Sequence, residues 1–386
     1  MSRCKASFLI CFCVLLLTAC TEGNLDGATN HSKIETTVDE KQLNQVLNIY
    51  KPHEVTLSAI GDLLIHQKIY QDAFNGTQYN FTPMLDEVAP YLKKSDITIA
   101  NQETMIGGVE LGLSTYPTFN SPQELGAGLK NAGVDVVTIA NNHTLDGGET
   151  AIQNAISYWE KIDMMYTGAY KSEKDRNNIR VLQANQISIA FLAYTYGTNG
   201  IPVPSGKDYL VNLIDKQKMA SDIKEAGKIS DVIVLSLHFG NEYQRMPSQE
   251  QKELVQFIAD QGVHVVIGHH PHVLQPVDYL RGRNGHKTFV AYSLGNFLSG
   301  QEELYRRIGG MVQFTIRKTN GNSEENIEIV SPKFMPTFVD DKHNASFDVI
   351  PMFKLSNAVL PNAQKHYNEM KVHMSQWLPE LEFIEE

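Results

Sequence analysis

Past residue 20 this chain of 386 residues has no cysteine; all four, Cys4, Cys11, Cys13 and Cys20, lie in the first twenty positions. A domain that begins after them has no intrachain disulfide, no thiolate metal site and no cysteine nucleophile. Any metal it holds must be bound by His, Asp, Glu and Asn. The chain also lacks a second long apolar run. No segment after the leader reaches about 18 uninterrupted apolar residues, so none reads as a membrane span. Positive charge is scarce too. Lys and Arg number 33 against 44 Asp and Glu, a formal net charge of −11. That balance argues against nucleic acid as a partner. An acidic surface does not gather a polyanion by charge alone, so an anionic substrate must be gripped locally.

What the first twenty residues contain is a leader. Arg3 and Lys5 precede an apolar run from Ala6 to Leu17, and Leu17-Thr18-Ala19-Cys20 follows. A basic start, an apolar stretch too short to span a bilayer comfortably and a small-residue cleavage site make residues 1–20 a secretory signal. The Leu-Thr-Ala-Cys ending is similar to a bacterial lipobox. By that resemblance Cys20 becomes the lipidated first residue, and the domain sits at the cell membrane, facing outside the cytoplasm. The alternative is a secreted protein with an incidental cysteine. Loss of Arg3 and Lys5 moves the charge from −11 to about −13. Residues 21–52 are polar, mixed in charge and without period, and read as a tether.

Residues 53–340 read as one large α/β domain. Apolar runs predict strands at Val55–Ile60, Asp96–Ala100, Val134–Ala140, Ile187–Tyr194, Val232–Leu237, His264–Ile267 and Thr288–Ser293, most of them buried on both faces. Between them, Ser121-Pro122 predicts a helix N-cap followed by proline at the first helical position. Ser248 with Gln251 predicts a capping box over Gln249–Asp260. Gly148–Lys161 and Lys216–Lys228 carry helical periodicity. Met311–Lys318 and Ile327–Val339, either side of Asn320-Gly321, predict an antiparallel hairpin. Residues 341–386 read as a C-terminal extension with a helix near Ala363–Leu378.

Polar residues collect where the predicted strands end: Asp62; Asn101 and Glu103; Asn141, Asn142 and His143, with Asp146 nearby; His238 and Glu242; His269, His270 and His272; and Asn296. In open α/β sheets ligands bind outside the carboxyl ends of the strands. A lone histidine is more often a satisfied structural group. Six polar turns at the same end of six strands, taken as parallel neighbours, predict one shared rim. Carboxylate, amide oxygen and imidazole together suit manganese, iron, zinc or magnesium. Such an ion would polarise an anionic oxygen and lower the pKa of a bound water. His143 is the candidate proton donor to a leaving group, a role that imidazole chemistry suits. Asn101, Glu242 and Asn296 are candidates to contact substrate. Arg306-Arg307 reads either as an anion-binding fork or as a solvated pair beside Glu302 and Glu303.

Ala59-Ile60-Gly61-Asp62, Ala100-Asn101-Gln102-Glu103-Thr104, Ala140-Asn141-Asn142-His143 with Asp146-Gly147-Gly148, Ser236-Leu237-His238-Phe239-Gly240-Asn241-Glu242-Tyr243, Gly268-His269-His270-Pro271-His272-Val273 and Tyr292-Ser293-Leu294-Gly295-Asn296-Phe297 occur in that order over residues 55–300. Together they resemble the bacterial capsule-synthesis family, the CapA/PgsA-type (PGA_cap) proteins of poly-γ-glutamate production. The resemblance implies a calcineurin-like metallophosphatase fold, a four-layer αββα sandwich. It also implies a membrane-attached role in making, exporting or anchoring an anionic capsule polymer, with membrane-embedded synthase subunits as partners. Carried over by position, Asp62, Asn142, His238, His270 and His272 match metal ligands and His143 matches the general acid. Glu103 or Asn101 falls where that pattern has a bridging aspartate. The sequence departs from the pattern at Leu64, where a histidine is expected, and in the Asn-x-Glu replacement. Both weaken the case for a full two-metal centre and leave one ion, or none, open. The spacing of His270-Pro271-His272 favours His270 over His269 as the inward residue.

Three functions follow as expectations. The first is a capsule or poly-γ-glutamate lipoprotein that binds or processes the polymer or its precursor. The second is a metal-dependent hydrolase of a phosphoester or of a wall or capsule amide. The third is a non-catalytic binding module on the same fold.

Overall fold

The computed structural model describes residues 52–283, 285–320, 325–342 and 346–386. The leader, Cys20 and all of the tether but Pro52 lie outside the described residues, as does Gly321 of the hairpin turn. Among the described residues no helix is long and apolar enough to cross a membrane.

Two sheets carry the fold. The first contains β1 (His53–Leu64), β2 (Ile97–Gln102), β3 (Val136–Thr138) and β4 (Met165–Thr167). The second contains β5 (Arg180–Ala184), β6 (Ile187–Thr195), β7 (Val232–His238), β8 (Val265–His269), β9 (Leu274–Arg281) and β10 (Lys287–Leu294). The chain then returns to the first sheet as β11 (Asn296–Ser299), β12 (Ile308–Asn320), β13 (Glu325–Asp340), β14 (Asp348–Pro351) and β15 (Glu382–Phe383). The first sheet runs β14-β13-β12-β1-β2-β3-β4, with β11 on β1 and β15 on β13; the second runs β5-β6-β7-β8-β10-β9. Strands β1 to β4 are mutually parallel, as are β6, β7, β8 and β10. The predicted hairpin is the antiparallel β12–β13 pair.

Continuous apolar runs form strands here because both faces of each sheet are covered. Val232 and Val234 of β7 point into the core between the sheets, where they join Leu57, Phe191, Ile267 and Phe289. Ile233 and Leu235 point the other way. There they pack under α7 (Lys216–Ala226) and α8 (Gln249–Asp260). The outer face of the first sheet is covered by α1 (Gln67–Ala73), α2 (Thr82–Leu85), α3 (Ala89–Leu92), α4 (Glu124–Ala132) and α5 (Gly148–Lys161). A short α6 (Glu173–Arg176) and a C-terminal α9 (Ala363–Ser375) complete the set among the described residues. The layer order is helix, sheet, sheet, helix, as expected.

Several local expectations change. The polar strand ends do not share one sheet: β1, β2 and β3 end from one side, β7, β8 and β10 from the other, and the rim is a mouth between two sheets. Helix α4 starts at Glu124 with Gln123 as its cap and no side-chain cap bond. Ser121 is buried and its Oγ donates to Thr104 Oγ1 at 2.9 Å, which takes it away from the helix. The Ser248–Gln251 capping box of α8 is present. Strand β9 lies on the sheet edge, where Pro276 leaves no ladder bond unmade. The C-terminal segment adds β14 and β15 to the first sheet. Its α9 sends Tyr367, Met370 and Met374 into the core between the sheets.

Candidate metal centre

Two glycines let the strand ends meet. A Cβ on Gly61 would lie 2.0 Å from the Gly295 carbonyl oxygen, and one on Gly268 would lie 1.9 Å from that of Tyr292. Just past Gly61 the register of β1 shifts against β2, and the Asp62 N–H donates to the Gly295 oxygen at 2.8 Å. The turn after β8 is forced as well. His270 and His272 adopt φ of 97° and 58° on either side of Pro271, a conformation non-glycine residues rarely hold without a compensating role.

Asp62 is wholly buried and its carboxylate is surrounded by donors. Oδ1 accepts from Asn101 Nδ2 at 2.8 Å and lies 3.1 Å from His269 Nδ1. Oδ2 accepts from the His270 N–H at 3.3 Å and lies 3.2 Å from His272 Nδ1. Glu103 is equally buried. Its Oε1 stands 3.5 Å from His238 Nε2 and 3.6 Å from His272 Nε2. His238 Nε2 donates to Asn142 Oδ1 at 2.9 Å. The His238 and His270 rings are 4.9 Å apart, centre to centre.

Burial and charge divide the protons. Burial works upward on the Asp62 carboxyl, but hydrogen bonds from His269 and His272 outweigh it and hold the group well below the usual carboxylate range. Burial pushes Glu103 well above that range. Burial works downward on His272, yet Glu103 and Asp62 overcome it and raise the imidazole to about 9. Burial, followed by the nearby His272, depresses His270 to about 3.

The donors fit a divalent ion. Both Glu103 carboxylate oxygens and His270 Nδ1 are buried with no hydrogen-bond partner. Buried polar atoms are rarely left so, because the desolvation cost is then unrelieved. Asp62, Glu103 and His272 each place one donor atom within 4.8 Å of the others, and so do Glu103, His238 and His270. A third such group is Glu242, His270 and His272.

Around this cluster, His143 holds its Nδ1 2.7 Å from Asp146 Oδ2, which also accepts from the Phe119 N–H at 2.7 Å. Asn296 Oδ1 is 3.1 Å from His272 Nδ1. Arg306 lays its guanidinium 3.5 Å over the Tyr243 ring and pairs with Glu303 at 3.1 Å, while Arg307 turns away to Val339 and Asp341. Both His269 and His270 are buried at the centre: His269 lies on Asp62, and His270 lies beside His238. His66, the next histidine after Leu64, instead stacks edgewise on Phe119 and accepts from the Gly300 N–H at 3.2 Å.

Sequence reading missed Tyr196 and Asn199. The Tyr196 ring lies tilted against that of His270, with ring centres 4.7 Å apart. Asn199 Oδ1 accepts from Asn142 Nδ2 at 3.2 Å, and its Nδ2 lies 3.3 Å from His143 Nδ1. The one available signal was Asn199-Gly200, a turn-forming pair, and nothing in it points to residues 142–143.

The family described as bacterial capsule synthesis protein PGA_cap matches residues 56–301. The chain is 30% identical over 309 residues to the capsule biosynthesis protein CapA of Bacillus anthracis, a match covering 74% of this chain and 71% of that one. It is 26% identical over 285 residues to the PGA biosynthesis protein CapA of Bacillus subtilis (strain 168), covering 70% of each. Among solved structures, calcineurin-like phosphoesterase YfkN from Bacillus subtilis is similar with a TM-score of 0.44 at 14% identity, covering 83% of this chain and 99% of that one.

Proposed function

This chain belongs to the bacterial capsule synthesis family, and from that premise we propose that it serves in making or exporting a capsule polymer at the cell envelope, with the buried histidine–carboxylate cluster as its working part. The observation that carries this is Glu103: both its oxygens are buried and unpartnered between His238 and His272. Asp62, Glu103 and His272 would hold a divalent ion on one side, and Glu103, Asn142, His238 and His270 on the other. Without thiolates, manganese, zinc, iron or magnesium suits the set. A bound ion would polarise an anionic oxygen and lower the pKa of a water.

The chain's own groups do the rest. Asp146 holds His143 through Nδ1, which leaves Nε2 to exchange a proton with a leaving group. Asn101 orients Asp62, and Asn296 orients His272. Arg306 offers its fork to a carboxylate or phosphate at the lip. These roles favour an anionic capsule polymer or its precursor as substrate. The leader and Cys20 favour a lipid-anchored position outside the cytoplasm, beside membrane-embedded synthase subunits. The His143–Asp146 pair favours metal-dependent hydrolysis of a phosphoester or amide over binding alone.

The test compares the purified full chain with His270→Ala and His143→Ala. Wild type should retain manganese or zinc and turn over a phosphodiester or poly-γ-glutamate. His270→Ala should lose metal. His143→Ala should keep metal and lose about a hundredfold or more in turnover. A wild type that retains no metal sinks the centre. Turnover untouched in His143→Ala sinks its acid role. Gene deletion that leaves surface polymer unchanged in a producing strain sinks the capsule role.

A further inference from the structure

We propose that Glu242 is a ligand of the metal centre, binding a divalent cation jointly with His270 and His272 at the mouth between the sheets. The inference rests on the reading of the cluster as a metal centre and adds a carboxylate that no apolar neighbour on the Asp62 side can supply.

Asp62 already meets donors at both carboxylate oxygens. Each of its oxygens faces two donors, Asn101 and His269 on one, the His270 N–H and the His272 ring on the other. An ionised carboxylate has about four lone-pair sites, so a cation must compete for each of them. The next residue on that face offers nothing. Leu63 and Ile65 point into the core under the helices. Leu64, between them on the strand, points the opposite way and is 3% exposed, with only an apolar side chain to offer.

Glu242 reaches the same two imidazoles from outside. One of its carboxylate oxygens and one nitrogen each of His270 and His272 all lie within 4.8 Å of one another. His270 Nδ1 is buried and unpartnered, an independent sign that a ligand is missing there. The backbone holds Glu242 in place. Gly240 turns the chain at φ 100° just after β7. The Tyr243 N–H donates to the Pro271 carbonyl at 2.8 Å, which ties the loop onto the His270–His272 turn. Nearby, the Arg306 guanidinium lies over the Tyr243 ring and against Glu303. The carboxylate is exposed at the rim, so binding a cation needs no buried charge to be uncovered.

The test uses the full chain stripped of metal and compares wild type with Glu242→Gln and Glu242→Asp. Manganese binding is titrated calorimetrically, and the visible absorption of the cobalt-loaded protein is recorded. The expected result for Glu242→Gln is an ion bound about tenfold or more weakly, a changed cobalt spectrum, and an unchanged melting temperature without metal. Glu242→Asp should recover part of the affinity. Affinity and spectrum equal to wild type in Glu242→Gln overturn the proposal while leaving the centre standing. So does weaker binding that keeps the wild-type spectrum and vanishes in high salt, since that is attraction through space. A wild type that binds neither metal overturns both this proposal and the centre it rests on.

Discussion

Gly268 places the histidine turn by having no side chain. Its Cα comes so near β10 that an added Cβ would sit 1.9 Å from the Tyr292 carbonyl oxygen, a backbone atom that no side-chain rotation can move. Gly268→Ala should therefore part β8 from β10. We expect it to cost on the order of 2–4 kcal/mol by denaturant titration and to reduce metal content with it. At this scale the candidate site was largely legible: Asp62, Asn142, His238 and His272 follow apolar runs, and polar side chains in such places are visible without coordinates. Asn199 was not. It meets Asn142 and His143 through a turn 57 residues away in the chain, and no pattern in its neighbourhood encodes that meeting.

Elements divide by how local their causes are. Helix α8 was readable to its first residue because its capping box lies within four positions, Ser248 to Gln251. Ser248→Ala should lower stability by about 1 kcal/mol, measured as a midpoint shift in urea. Helix α4 was misplaced at its start because Ser121 bonds Thr104, a partner outside its own turn. Helix α9 looked like an appendage in sequence, yet Met370 and Met374 are buried between the sheets with Leu274, Val277 and Phe338. Met374→Ala should cost about 2–5 kcal/mol in the same titration. A cost below about 0.5 kcal/mol would mean that α9 only rests on the surface.

For the whole molecule, a buried imidazole outside the centre ties stability to pH. His264 precedes β8, at the end away from the centre, and accepts from the Ile233 N–H at 3.1 Å. Burial, with His286 beside it, lowers its imidazole to about 3, against an upward pull from Asp231. The folded value lies below the unfolded one, so the unfolded chain takes up the proton first as pH falls. Stability from this group is complete above about 6.5 and is lost as pH falls toward about 3. Thermal melting between neutral and mildly acidic pH should drop more steeply in wild type than in His264→Gln. Equal slopes would reject the assignment.

The sequence by itself determined the α/β class, most strands, the hairpin at β12–β13, the family and the polar groups at the strand ends. Each of these follows from residues close in the chain: apolar runs, caps and short motifs. Only the tertiary structure decided that those strand ends belong to two sheets. It also placed Glu242 against His270 and His272 and buried the C-terminal helix. A strand covered on both faces is apolar at every position, so its side chains do not reveal which sheet it joins. That choice rests on backbone pairing between segments far apart in the chain, as when β11 crosses back to lie on β1.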